Sequence, residues 1–189
     1  MTIIVQLMAG PRGALVLAAA ASAVLLAGAH AFERFGGFAP CALCLDQREA
    51  HWTGLAVAIA GLALGSVFKA RRVVAAAVGA AALVYAFSAA LAFYHTGVEY
   101  KFWPGPATCS GGGPVDVSAG ALADVLAGVA PAVSCVDAPW TMFGVSMAGY
   151  NFLISAGIFA LCLLAAAHAV RDARRAARPR LRTERSEPL

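Results

Sequence analysis

Four long apolar blocks, separated by short polar stretches, dominate the pattern of this chain. Uncharged runs occupy Gly13 to Phe32, Ala50 to Phe68, Val73 to Val98 and Ala138 to Val170, each near or beyond the roughly 20 residues a helix needs to cross a bilayer. The last two runs exceed that thickness, which places their membrane parts near 73–95 and 145–168 and leaves the remainder at the interface. Backbone groups in lipid must be bonded internally, and blocks rich in Ala and Leu favour helices over barrel strands. The predicted fold is an all-α membrane protein, a bundle of four transmembrane helices over about 13–32, 50–68, 73–95 and 145–168. It forms one domain over 1–170, with outer loops at 33–49 and 96–144 and a basic tail at 171–189 expected to lack structure.

Charge gives the orientation. Arg12, the Lys69, Arg71 and Arg72 group, and seven arginines from Arg171 to Arg185 fall on one side, against Arg34, Arg48 and Lys101 on the other. By the positive-inside rule both termini are cytoplasmic. Seven of the ten acidic residues, Glu33 to Asp137, lie opposite, so the net charge of +4 reflects topology, and nucleic acid is not an expected partner. The arginine-rich tail reads as a solvated positive-inside segment, although such a tail also suits anionic lipid. Arg12, the first apolar run and Ala29-His30-Ala31 resemble a signal peptide, but the run is longer than the usual 7 to 15 residues of such a core. We expect the first helix to be retained, with the bilayer as the chain's main surroundings.

Five cysteines are distributed in an informative way. Cys41 and Cys44 fall in the first outer loop, Cys109 and Cys135 in the second, and Cys162 in the fourth span. The outer side is where disulfides form and persist, whereas Cys162 among leucines reads as a small packing residue. In the second loop, Pro104, Pro106, Gly111 to Gly113 and Pro114 mark irregular backbone around Cys109, within a partner protein's reach. A short surface helix is expected after Asp116 or Ser118, with Leu122, Val125, Leu126 and Val129 on its apolar face. Pro139 and Trp140 return the chain to the interface.

The spacing of Cys41 and Cys44 permits a small disulfide, and a helix N-terminus there would stabilise a thiolate. Arg48 lies one helical turn beyond Cys44. There it can assist that thiolate and hydrogen-bond a carbonyl oxygen of an electron acceptor, or instead snorkel to headgroups or pair with Asp46 or Glu49. His95 ends the third span on the same boundary and is either a second contact to the acceptor or an interfacial histidine. His51 is expected at the interface, and His30 and His168 carry no specific signal.

Three chemistries compete for these residues. Cys41, Cys44 and a histidine suit zinc, and two bridges can simply staple loops. Two dithiols on one membrane face can also pass a disulfide between them through mixed disulfides. The third reading requires an electron sink, and no nucleotide-binding glycine motif occurs in a strand–helix context. A lipid-soluble quinone reached from within the helices meets that requirement.

Three stretches then carry a resemblance. They are "PCALCLDQR" at Pro40 to Arg48, "YHTGVEYKFWPGPATC" at Tyr94 to Cys109, and "CVDAPWTMFGVSMAGYN" at Cys135 to Asn151. In order and between four spans, they resemble the bacterial disulfide bond formation protein B (DsbB) family of quinone-dependent membrane oxidoreductases. The resemblance implies that Cys109 and Cys135 form the disulfide that reoxidises a periplasmic thioredoxin-like protein of DsbA type, with Cys109 attacked first. Cys41 then passes the oxidising equivalent on, and Cys44 is the thiolate that contacts the quinone, with Arg48 and His95 near the ring. Ubiquinone is expected ahead of menaquinone, and no metal is expected. Family members often carry an aromatic residue and a glutamate before the arginine, where this chain has Asp46 and Gln47.

Overall fold

The computed structural model describes residues 10–106, 109 and 134–184. Four helices form an antiparallel bundle: α1 Pro11–Gly36, α2 Ala42–Val67, α3 Arg71–Glu99 and α4 Met147–Glu184. All four are long and apolar enough to cross a membrane. A hairpin of two short strands, β1 Thr141–Met142 and β2 Val145–Ser146, precedes α4. Its turn residues Phe143 and Gly144 have φ of 50° and 76°, the left-handed pair that closes a two-residue hairpin.

Several boundaries differ from the hydropathy pattern. α2 begins eight residues before the apolar run, because Cys41 caps it: its sulfur accepts from the Cys44 N–H at 3.3 Å. The Cys41–Cys44 pair therefore forms the mouth of a helix, where a loop was expected. α4 continues to Glu184, so the basic stretch expected to lack structure extends the helix through most of its length. The surface helix expected beyond Asp116 lies outside the described residues.

α2 and α3 approach closely through glycines. The buried stripe of α2 is Leu43, Gln47, Ala50, His51, Gly54, Ala58, Gly61 and Gly65, a helical period whose inner half is almost all small. A Cβ at Gly61 would overlap that of Ala77, one at Gly65 would overlap Val74 Cγ2, and one at Gly54 would lie 2.8 Å from the Tyr85 hydroxyl oxygen. In lipid, where burying apolar surface gives little drive, such backbone approach and interhelical hydrogen bonds supply the adhesion. The mid-bundle core contains Leu15, Ala18, Val78, Tyr85, Ile158 and Cys162, and Cys162 is the packing residue its neighbours suggested. A second cluster, at the hairpin end, contains Cys41, Leu43, Val98, Cys109 and Cys135, with Tyr94 and Trp103 against it.

Candidate active site

Both outer-loop cysteine pairs meet in that second cluster. Cys109 and Cys135 form a disulfide, whereas Cys41 and Cys44 are unbonded with their sulfurs 2.9 Å apart, Cys41 donating. The nearest ligand-type atoms of Cys41, His95 and Cys135 lie within 4.8 Å of one another. Cys41 is thus the junction between the pairs. Its hydrogen bond to Cys44, reinforced by burial, raises the Cys41 thiol well above the ordinary range, because the proton it donates stabilises charge on its neighbour.

The chain leading to Cys109 is held by the end of α3. Lys101, at φ 63°, reverses direction, and Phe102 N–H returns to Gly97 O at 2.8 Å. Trp103 then folds back, donates Nε1–H to Tyr94 O at 2.8 Å and stacks on the Tyr94 ring. Lys101 Nζ donates to Val136 O and to Asp137 Oδ1, which ties down the segment after Cys135. Cys109 itself is fully buried, a correction to the accessible position expected from its proline- and glycine-rich surroundings: Val98, Gly105 and Cys135 pack around it.

Cys44, half-buried, opens on the other side into a cavity of about 370 Å³. Its walls are mainly apolar: Val24, Leu25, Leu26 and Phe32 of α1, Trp140 and Met142 near the hairpin, and Met147 and Ile154 of α4. Arg48, Gln47, His51, His95 and Glu99 join Cys44 as its chemically active lining. Arg48 pairs with Glu33 Oε2 at 2.5 Å and donates to Ala29 O at 3.2 Å, so its partner lies on α1; Asp46 and Glu49 are exposed. His95 is buried, with Nε2 3.7 Å from Cys41 Sγ and Nδ1 2.7 Å from Gln47 Nε2. The interfacial alternative for His95 is therefore replaced by a place beside Cys41.

Sequence reasoning missed Gln47, His51, Glu99 and Asn151 as members of this site. Gln47 bridges His95 and Asn151. Glu99, buried, accepts from Ser146 Oγ and lies 3.8 Å from His95 Nε2. His51, expected at the interface, is 3% exposed and bonded to Ser22 and Asn151. A signal was present: Gln47 and His51, like His95 and Glu99, are polar residues one turn apart on one face of an apolar helix.

The metal alternative fares worse than the redox one. Cys41, His95 and Cys135 are the closest such group among the described residues, but the Cys135 sulfur is already consumed in a disulfide. Comparison with known proteins agrees with the redox geometry: residues 11–165 match the profile of the family described as Disulfide bond formation protein DsbB. Neither the curated proteins nor the solved structures gave a significant match. With four spans and both cysteine pairs inside the matched region, the chain belongs to the DsbB family, whose members are quinone-linked thiol oxidoreductases of the membrane.

Proposed function

We propose that electrons pass from a reduced periplasmic thioredoxin-like protein of DsbA type to Cys109 and Cys135, then to Cys41 and Cys44, and finally to quinone in the cavity beside Cys44. One observation carries this reading: Cys41 lies within 4.8 Å of the Cys135 sulfur and 2.9 Å from Cys44, while Cys44 lines an apolar cavity. A partner thiolate attacks Cys109, which it reaches by displacing the side chains that bury it, and releases Cys135 as a thiolate. Cys135 attacks Cys41 of the closed Cys41–Cys44 bridge and frees Cys44; the partner's second thiol then displaces Cys109, whose thiolate attacks Cys135, restores the Cys109–Cys135 bond and releases Cys41.

The residues fit a quinone. A cavity of about 370 Å³ falls in the range of roughly 300 to 1,000 Å³ usual for small-molecule sites. Its apolar walls suit a ring with a lipid tail, and its polar groups gather around Cys44. Bound quinone supplies an acceptor for two electrons and two protons. Arg48 is the residue proposed to donate hydrogen bonds to a quinone oxygen, held in aim by Glu33 and Ala29 O. His95 is proposed to orient and shield the Cys41 thiol next to it. Ubiquinone is proposed ahead of menaquinone, and loading each in turn measures the preference.

Turnover tests the path. Given a reduced dithiol partner, the purified protein should reduce a soluble quinone analogue, and Cys44→Ser should abolish turnover. Full activity in Cys44→Ser would refute the relay.

A further inference from the structure

The buried hydrogen-bond chain that runs inward from the cysteines ends on a histidine that the electron path leaves unused. His51 lies on α2 three residues past Arg48 and seven past Cys44, on the same helical face, and forms part of the cavity wall. The other three helices surround it. Ser22 Oγ of α1 is 3.0 Å from Nδ1 and Asn151 Oδ1 of α4 is 2.7 Å from Nε2. Tyr85 of α3 places its hydroxyl 2.7 Å from Ser22 Oγ and donates to Ala18 O at 2.9 Å.

The bond directions follow from the amides. Asn151 Nδ2 donates to Gln47 Oε1 at 2.5 Å, which turns Asn151 Oδ1 toward His51 and makes His51 Nε2 a donor. Gln47, with its carbonyl engaged, presents its NH₂ to His95 Nδ1, so that nitrogen of His95 must stay bare. His51 Nδ1 instead faces a hydroxyl, which can donate or accept. When the ring is neutral, Ser22 donates to Nδ1. When Nδ1 carries a second proton, Ser22 accepts it and donates to Tyr85, which donates to Ala18 O. In the neutral state Tyr85 turns its single hydroxyl proton from Ala18 O to Ser22, so each side-chain polar atom of this chain keeps a partner in both states.

Charge in the cavity calls for such a group. Arg48 is committed to Glu33, and Glu99 is a further carboxyl on the same wall. Arg48 is the cation a thiolate at Cys44 can draw on there, but its charge is shared with Glu33, in surroundings that solvate charge poorly. Against the His51 ring, α1 presents Ser22, α3 Tyr85 and α4 Asn151, none of them charged, while Arg48, Cys44, His95 and Glu99 share the cavity. Ionisable side chains held inside a membrane ordinarily serve ion or proton movement, because adhesion alone is cheaper with uncharged groups.

We propose that His51 is the proton-holding residue of the quinone site, holding at Nδ1 the second proton of the partner dithiol while Cys44, freed from its disulfide, stays a thiolate. This rests on the electron path above. A reduced partner dithiol and the Cys41–Cys44 disulfide yield the partner's disulfide, the Cys41 thiol, the Cys44 thiolate and one proton on His51. Oxidation then sends two electrons from the two sulfurs to quinone, with the Cys41 proton and the His51 proton. The Cys41–Cys44 bond closes, hydroquinone leaves and His51 is neutral again.

Ring-¹⁵N histidine NMR of the full-length, quinone-free protein tests this, with Cys41 and Cys44 reduced and the Cys109–Cys135 bridge intact. His51 should carry protons on both ring nitrogens in the wild type and on one in Cys44→Ser, while His95 keeps a bare nitrogen in both. The chain has four histidines, so signals lost in His51→Gln, or by elimination in His30→Gln, His95→Gln and His168→Gln should that variant fail to fold, give the assignment. Alkylation of Cys44 at neutral pH should slow about tenfold in His51→Gln, since a charge roughly 10 Å away at an effective dielectric of about 20 is worth about one pKa unit. A neutral His51 alongside a Cys44 thiolate, a doubly protonated His95 in its place, or unchanged alkylation would overturn the proposal. Quinone reduction that survives Cys44→Ser would instead bring down the electron path.

Discussion

Replacing Gly97 by alanine probes how the end of α3 positions the disulfide. A Cβ at this position would fall 2.6 Å from Trp103 Cη2 and closer still to Cε2 and Cζ2, so the indole must leave. Its departure forfeits the Nε1 bond to Tyr94 O, about 0.5–1.5 kcal/mol, and the stack on Tyr94, about 0.5–1.5 kcal/mol. Against this, alanine in a helix gains about 0.5–1 kcal/mol over glycine. The steric effect wins, by a net of roughly 1–2 kcal/mol. The cost falls on the segment that carries Cys109, because Gly105 and Val98 pack beside that cysteine. Stopped-flow mixing with a reduced partner should show exchange through Cys109 and Cys135 slowed about five- to thirtyfold. Reduction of a quinone analogue by protein whose Cys41 and Cys44 are already reduced should stay at the wild-type rate. Tryptophan fluorescence should report a more solvated indole, a change absent from the same substitution in a Trp103→Phe background. Wild-type exchange with unchanged fluorescence would refute the reasoning, since two side chains would then share one space at no cost.

Gly61→Ala should lower the melting temperature in detergent by separating α2 from α3 at Ala77, a cost of about 1–3 kcal/mol, whereas Gly28→Ala, with open space around it, should be neutral or slightly stabilising. Differential scanning measurements on the two variants make the comparison. Alkylation followed by mass spectrometry should find Cys44 modified and Cys41 spared as pH rises through the ordinary thiol range. The sign follows from the bond: a Cys41 proton donated to Cys44 keeps Cys41 protonated to higher pH, and Cys44→Ser should bring Cys41 reactivity back toward that of an ordinary thiol.

Hydropathy made the four spans legible, and loop position grouped the four outer cysteines into the two sets that meet at the site. Both signals are local: an apolar run of bilayer length needs no partner to be recognised. What stayed hidden depended on partners from other helices. Gln47, His51 and Glu99 are polar, so a hydropathy profile draws them toward water, yet each is buried because an amide, a hydroxyl or an imidazole from another element completes its bonds. The start of α2 was misplaced for the same reason, since "CALCLDQR" contains polar residues that face a site. Arg48 was singled out as a possible partner of Asp46 or Glu49, but its carboxylate lies on α1, fifteen residues away in sequence, where no local spacing rule would look.

The glycine seam between α2 and α3 has a mechanical corollary for the cavity. Two helices held close at Gly61 and Gly65, with the Tyr85 side chain against Gly54, behave as a single post, and that post carries Cys44, Arg48, His51 and His95 together. α1 and α4 are the shutters facing it, lined with pliable leucine, methionine and isoleucine side chains. Changes in bilayer thickness or tail length will therefore be felt as a wider or narrower gap at the shutters, while the sulfurs keep their distance from the arginine.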